Sequence, residues 1–345
     1  MKVFINLPTW LGDTIMASVA LRLVFSHFES LFEGIKKNYT QRAKNTHSKD
    51  LKFVLYGSFV ACELFKDYAN VTICVQKPKK QGFLRRFFDF YKLGRSWGEF
   101  DYSFSFRSAF SAKIMLFLLR SKHKFIFNKQ QNKNAHQVLK YLAFIENSLN
   151  IKAVNKELFL PIGGISKANQ KTFLDKFGIQ TNKKLLGINA GAKYGLAKCW
   201  DKEYFAQVAF EFAKTHEILI FGTDTEQEIC DDIALWLYKN GVKAHNLCSK
   251  TSIKELCELI STLNLFISND SGAMHIGAVY QTPTIAIFGP TKFTQTSPWQ
   301  NQNAQILHLN LACMPCMKRV CPLKHHACMK ELKPQLVIKA AKSLM

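Results

Sequence analysis

Short runs rich in β-branched and aromatic residues alternate with longer amphipathic stretches along nearly the whole chain, and the alternation starts afresh halfway. In the first half the strand-like runs are 3–7, 53–56, 71–75 and 102–106. Helical patterns follow at 14–28, 59–68 and 109–119, with a further one at 136–149. In the second half, strands at 185–189, 217–221, 244–247, 265–268 and 283–288 are spaced by helices at 201–214, 226–239, 254–263 and 272–280. Strands that alternate with helices pair in parallel through crossovers, so each half reads as a doubly wound α/β sheet. Ser252 and Glu255 stand three apart before Leu256 and Cys257, the spacing of a capping box, which fixes a helix start there.

The polar connection 150–157 places a boundary near residue 160. The expected organisation is an N-terminal domain over 1–160, a C-terminal domain over 161–330, and a final helix in 331–345 that could cross back onto the first domain. With 345 residues and 48% apolar content, two cores of ordinary size are affordable. Residues 36–52 are polar and basic without periodicity and read as a surface loop. Ligands of doubly wound folds bind at the carboxyl ends of the strands, so a cleft facing both sets of strand ends is expected.

Several strand ends carry residues suited to that place. Asn269-Asp270-Ser271-Gly272-Ala273-Met274-His275 turns a strand directly into a helix, whose unpaired amides and partial positive charge suit a phosphate. His275 read alone is as well a structural histidine. Ala190-Gly191-Ala192-Lys193-Tyr194-Gly195-Leu196-Ala197-Lys198-Cys199-Trp200 is a glycine-bearing loop with two lysines, fit for a diphosphate or simply for solvent. It has neither the Gly-Lys-Ser/Thr triplet of a P-loop nor the dinucleotide glycine fingerprint. Phe221-Gly222-Thr223-Asp224-Thr225-Glu226 offers acidic groups either to ribose hydroxyls or to the helix that follows. In the first strand-to-helix turn, Asp13 could cap the helix or accept a proton from a hydroxyl. Arg107, after the strand 102–106, offers a bidentate cation, and its alternative is an ordinary surface arginine.

Taken together, Asn6-Leu7-Pro8-Thr9-Trp10-Leu11-Gly12-Asp13, Phe106-Arg107-Ser108, the Gly191–Gly195 loop with Lys198 and Trp200, Asn269–His275 and Phe288-Gly289-Pro290-Thr291 resemble the heptosyltransferases of glycosyltransferase family 9. The pieces occur in order over nearly the whole chain and lean toward the type II branch. The resemblance implies a GT-B fold, two Rossmann-like domains with a cleft between them, and an inverting transfer without a catalytic metal. The implied donor is ADP-heptose, and the implied acceptor is the first heptose of the lipopolysaccharide or lipooligosaccharide inner core, carried on lipid A. It also implies that Asp13 is the general base and that Lys198 stabilises the departing ADP. Lys193, Tyr194, Glu226, Asp270, Ser271, Gly272, Met274 and His275 would bind the donor, and Thr9, Trp10 and Arg107 the acceptor. Two positions depart from the family: Lys193 replaces a small hydroxyl residue and Cys199 a basic one. A different family 9 transferase, adding the first heptose or another sugar, remains an alternative.

The charge balance, 47 Lys and Arg against 25 Asp and Glu for a net +22, predicts attraction to polyanions. Residues 82–97 interleave aromatic and basic side chains as an interfacial contact would, with 36–52 and 77–80 adding positive charge. The expectation is a monomeric cytoplasmic enzyme that docks on the inner face of the membrane, with no cofactor and no nucleic-acid partner. The N-terminal apolar run is too short for a signal peptide, and no window reaches 18 apolar residues. Cys313, Cys316, Cys321 and Cys328, with His325 and His326 among them, fit buried reduced thiols or a small metal site. The rival from another class is a basic nucleic-acid-binding protein whose cysteines form a zinc module.

Overall fold

A computed structural model describes residues 1–40, 50–76, 83–180 and 182–345. The chain divides into two compact units, Met1–Pro161 and Ile162–Met345.

The first unit runs β1 (Lys2–Asn6), α1 (Leu11–Met16), α2 (Ser18–Thr40), β2 (Lys52–Gly57), α3 (Phe59–Glu63) and β3 (Val71–Val75). It continues with α4 (Phe83–Ser96), β4 (Phe100–Ser105), α5 (Phe110–Leu118), β5 (Ser121–Ile126) and α6 (Gln137–Leu149). Its five strands are all parallel, in the order β3-β2-β1-β4-β5. β1 lies in the middle, and Val3, Phe4 and Ile5 are fully buried, as a parallel strand covered on both faces requires. Phenylalanines fill the core on either side: Phe25 packs on Phe53 and Phe65, and Phe4 packs on Phe100.

The second unit runs α7 (Lys167–Asp175), β6 (Lys184–Asn189), α8 (Lys202–Phe212), β7 (His216–Phe221), α9 (Gln227–Lys239), β8 (His245–Asn246), α10 (Ile253–Thr262) and β9 (Leu265–Asn269). Then come α11 (Gly272–Val279), β10 (Thr284–Ile287), α12 (Phe293–Thr296), β11 (Ala304–Leu307), α13 (Ala327–Lys330) and α14 (Pro334–Ser343). Its sheet is also parallel, in the order β11-β10-β9-β6-β7-β8. Counted from β6, that is the 3-2-1-4-5-6 order of dinucleotide-binding sheets, with the switch point between β6 and β9. The capping box expected at Ser252 and Glu255 forms at the start of α10.

Three features differ from the sequence reading. The helix expected at 14–28 is two, α1 and α2, separated at Ala17, and α2 continues to Thr40 through residues assigned to a loop. Residues 41–49 and the basic residues 77–80 lie outside the described residues. β5, α7 and β11 had no clear signature; β5 reads Ser-Lys-His-Lys-Phe-Ile, an edge strand whose charges mask its strand character. Finally, α14 does not belong with the first unit. Val337 and Ala341 are buried in the core of the second unit, and the helix packs on α8 and β10. An apolar stripe seats a helix on whichever core it completes, and here that core includes Trp200, Phe205 and Ile285. Among the described residues, no helix is long and apolar enough to cross a membrane.

Candidate functional site

Each unit gathers its chemistry at a switch point. In the second unit the loop after β6 and the turn after β9 meet across the point where strand order reverses. Asn269, the last residue of β9, ties them: its amide nitrogen donates to the Ala190 carbonyl, and its side-chain oxygen accepts from the Trp200 amide at 3.1 Å. Asn189 at the end of β6 answers by donating to the Ser271 hydroxyl at 3.2 Å. The turn that makes α11 possible is thus held from both neighbouring strands.

Lys198 is fixed within this frame. Its ammonium lies 2.6 Å from Asp270 Oδ2, and the Thr291 hydroxyl donates to the same oxygen at 2.6 Å. The side chains of Lys198 and Asp270 are 12% and 5% exposed, so the pair is largely dry. Lys198 also lies 4.8 Å from the centre of the Tyr194 ring, over its face. Tyr194 in turn donates its hydroxyl to the Met317 carbonyl at 2.9 Å, and the Arg319 guanidinium covers its ring. Gly195 allows this close seat: its φ is +152°, and a Cβ there would stand 2.6 Å from the Arg319 carbonyl oxygen.

At the start of α11, Ser271 is the N-cap residue, yet its hydroxyl makes no cap bond to the first-turn amides. It turns instead toward Ser268 and Asn189. The first-turn amides of α11 thus have no side-chain cap from Ser271. Met274 is buried against Ala286 and Phe288, and His275 is also buried. Lys193 is exposed.

Glu226 approaches from β7. Its carboxylate accepts from the Thr223 amide at 2.8 Å and the Thr223 hydroxyl at 3.0 Å, a capping box on the short 3-10 turn that precedes α9. The same carboxylate rests against Gly191, where a Cβ would stand 1.9 Å from one of its oxygens. Burial and the nearby Glu226 push the Cys199 thiol up, so this cysteine is held neutral.

In the first unit, Thr9, Trp10 and Asp13 follow β1 while Arg107 follows β4, the strand next to it. Asp13 is not the N-cap of α1. That place belongs to Trp10, and Asp13 is the third helical residue. Its carboxylate is hydrogen-bonded by the Tyr141 hydroxyl from α6, a group that burial first and the Asp13 charge second hold well above its ordinary pKa. Tyr141 therefore stays a donor. Arg107 donates from Nε to the Leu7 carbonyl at 2.5 Å and from Nη1 to Gln76 at 2.7 Å, and it lies within electrostatic reach of Tyr141. It is a positioned arginine rather than a loose surface one. Trp10 is exposed beside them, and the Thr9 carbonyl accepts from Ser58.

Sequence reasoning missed Tyr141, Gln76 and Thr291 as partners of Asp13, Arg107 and Asp270. Thr291 closes the Phe288–Thr291 turn, which was recognised only as a strand end. Tyr141 and Gln76 lie far from their partners in sequence and have no local signature.

Two parallel doubly wound sheets, each with its polar loops at a switch point, make up the GT-B fold class. Residues 104–327 match the pattern of glycosyltransferase family 9 (heptosyltransferase), and the chain belongs to that family. Lipooligosaccharide heptosyltransferase 2 of Campylobacter jejuni serotype O:2 is 50% identical over 346 residues, covering 100% of this chain and 98% of the relative. Lipooligosaccharide heptosyltransferase 2 of Haemophilus ducreyi is 24% identical over 100% and 99%. Among solved structures, Escherichia coli ADP-heptose lipopolysaccharide heptosyltransferase II matches with a TM-score of 0.74 at 17% identity, over 100% and 98% of the two chains. Escherichia coli heptosyltransferase WaaC with ADP matches with a TM-score of 0.63 at 15% identity over all of both. This chain is a glycosyltransferase, and the nucleic-acid-binding alternative gives way.

Proposed function

We propose that the protein transfers heptose from ADP-heptose to the first heptose of the lipopolysaccharide or lipooligosaccharide inner core. The observation that carries this reading is the 50% identity to a lipooligosaccharide heptosyltransferase 2 over essentially the full length of both chains. The local chemistry supports it.

The donor half is the second unit. When the anomeric C–O bond breaks, negative charge grows on the diphosphate, and stabilisation there must be in place beforehand. Lys198, held by Asp270, and the open amides at the start of α11 supply it. Glu226 and Tyr194 flank the loop that would carry ribose and phosphate. Asp270 acts through Lys198 rather than on the sugar, since both strong bonds to its Oδ2 come from the protein.

The acceptor half is the first unit. Asp13 takes the proton from the acceptor hydroxyl as that oxygen attacks the anomeric carbon, and the configuration inverts in one displacement. Arg107 and Trp10 are the groups for a phosphorylated, sugar-bearing acceptor. No cofactor is assigned, because the side chains account for both the proton and the leaving-group charge.

For the membrane contact, helices α4 and α5 pack together and expose Phe88, Tyr91, Phe110 and Phe117. Phe110 and Phe117 are seven residues apart on one face of α5. Aromatic side chains in a strongly basic chain suit the headgroup region of an anionic leaflet, and we place the docking surface there.

The test is transfer itself. Purified protein is incubated with ADP-heptose and a lipid A-core acceptor carrying one heptose, and the product is read by mass. A gain of one heptose is expected; transfer only to heptose-free acceptor, or none, overturns the assignment.

A further inference from the structure

The segment 308–326 has no helix or strand, and it brings three thiols together with a fourth, Cys328, in α13 just after it. Cys313, Cys316, Cys321 and Cys328 line one small cavity together with His325 and His326. All four are free thiols, three partly exposed and Cys328 buried, and Cys328 lies within electrostatic reach of the other three.

The size of the cavity narrows the occupant. Its room is about 20 Å³, enough for one water-sized body and too little for a polynuclear cluster. Each histidine has one ring nitrogen engaged by the backbone. His326 Nε2 donates to the Ala197 carbonyl at 2.9 Å, and His325 Nδ1 accepts from the Ala327 amide at 2.9 Å. The four sulfurs, which line the same cavity, make the ligand set. Four thiolates opening with a Cys-x2-Cys pair select a thiophilic ion in tetrahedral geometry over calcium or magnesium. Among the described residues no group of three or more His, Cys, Asp or Glu is already arranged to hold an ion. The ion has to draw the sulfurs together: Cys328 is held in α13, and Cys313, Cys316 and Cys321, in a segment without helix or strand, can move toward it.

The same segment braces the loop that carries Lys198. The Arg319 carbonyl accepts from the Ala197 amide at 3.1 Å, the Met317 carbonyl accepts from Tyr194, and His326 reaches Ala197 from the other side. We propose that Cys313, Cys316, Cys321 and Cys328 bind one zinc-class divalent cation, losing their thiol protons, and that the ion stiffens the support of the Lys198 loop.

The experiment needs no transfer assay and is independent of the assigned reaction. Reduced full-length protein is stripped with a chelator and titrated with Co²⁺. Saturation at about one equivalent, with sulfur-to-cobalt charge transfer and the strong visible bands of a tetrahedral site, is expected, and Zn²⁺ should bleach both. The pair Cys316→Ser and Cys321→Ser should abolish the bands, and zinc should raise the Tm of the wild type but not of the variant. Absence of charge transfer in the wild type overturns the proposal whether or not the variant folds. So does acid-labile sulfide in the purified protein, or undiminished cobalt binding by a folded variant.

Discussion

The Lys198 ammonium and the Asp270 carboxylate lie 2.6 Å apart, with both side chains nearly shut away from solvent. A lysine in a loop is ordinarily mobile, and this one is not. Because Thr291 donates to the same Asp270 oxygen, the pair is a triad whose outer members fix a cation at the switch point. Lys198→Ala should lower kcat by about 10²- to 10³-fold, the usual loss when one preorganised charge-stabilising group is removed. Asp270→Asn leaves Lys198 buried without its counter-ion and should also cost about 3 kcal/mol of stability. Combining the two should restore part of that stability, which a denaturant-unfolding cycle would measure.

Asp13 depends on Tyr141 in the same way. Asp13→Asn should abolish turnover while leaving ADP binding intact, as seen by calorimetry. Tyr141→Phe keeps the ring packed on Phe106 and Phe127 and removes only the hydroxyl. A carboxylate that loses a hydrogen bond to its charged form holds its proton more tightly. The acid limb of the kcat/KM profile should move to higher pH, with a loss of about tenfold on that limb. An unmoved limb in Tyr141→Phe would separate packing from positioning.

Gly191 is a close-approach glycine. A methyl group there meets the Glu226 carboxylate head-on, and the carboxylate is itself bonded to Thr223. Gly191→Ala should displace Glu226, raise the KM for the nucleotide sugar more than it lowers kcat, and cost about 1–3 kcal/mol as an overpacked site. Saturation kinetics separate the two constants.

Stability should also respond to His216, which opens β7. Burial first, and Lys184 second, hold its pKa below the ordinary 6.5. The folded state therefore prefers the neutral ring, while the unfolded chain gains a proton as pH falls below 6.5. The contribution of this group is intact above pH 6.5 and is lost as pH falls through the folded value. Melting curves at pH 7.5 and 5.5 should show a smaller acid penalty in His216→Gln than in the wild type.

For the membrane surface, Phe110→Ser with Phe117→Ser should reduce sedimentation with anionic vesicles and leave activity on a detergent-dispersed acceptor unchanged. Equal sedimentation by the double variant would remove α5 from the contact.

Most of the proposed donor site was legible as strand ends and turns because its information is local. Strand, turn and helix start follow one another in Asn269–His275, and the Gly191–Lys198 loop announces itself by composition. The capping box at Ser252 was equally plain. Partners were not legible. Tyr141 reaches Asp13 from a helix more than a hundred residues downstream, and Thr291 reaches Asp270 from the next strand end, with nothing in either sequence to mark the meeting. Edge elements such as β5, with Lys122 and Lys124 in the strand, were hidden by their charges.

Two parallel α/β units and the strand ends that carry the candidate site residues could be read from the chain alone, since periodicity and turn chemistry act over a few residues. Three-dimensional packing was needed to show that Asp270 pairs with Lys198, that the Ser271 hydroxyl does not cap α11, and that α14 completes the second core. Those outcomes rest on side chains brought together by packing across strand order, and packing is a property of the whole fold rather than of any window of residues.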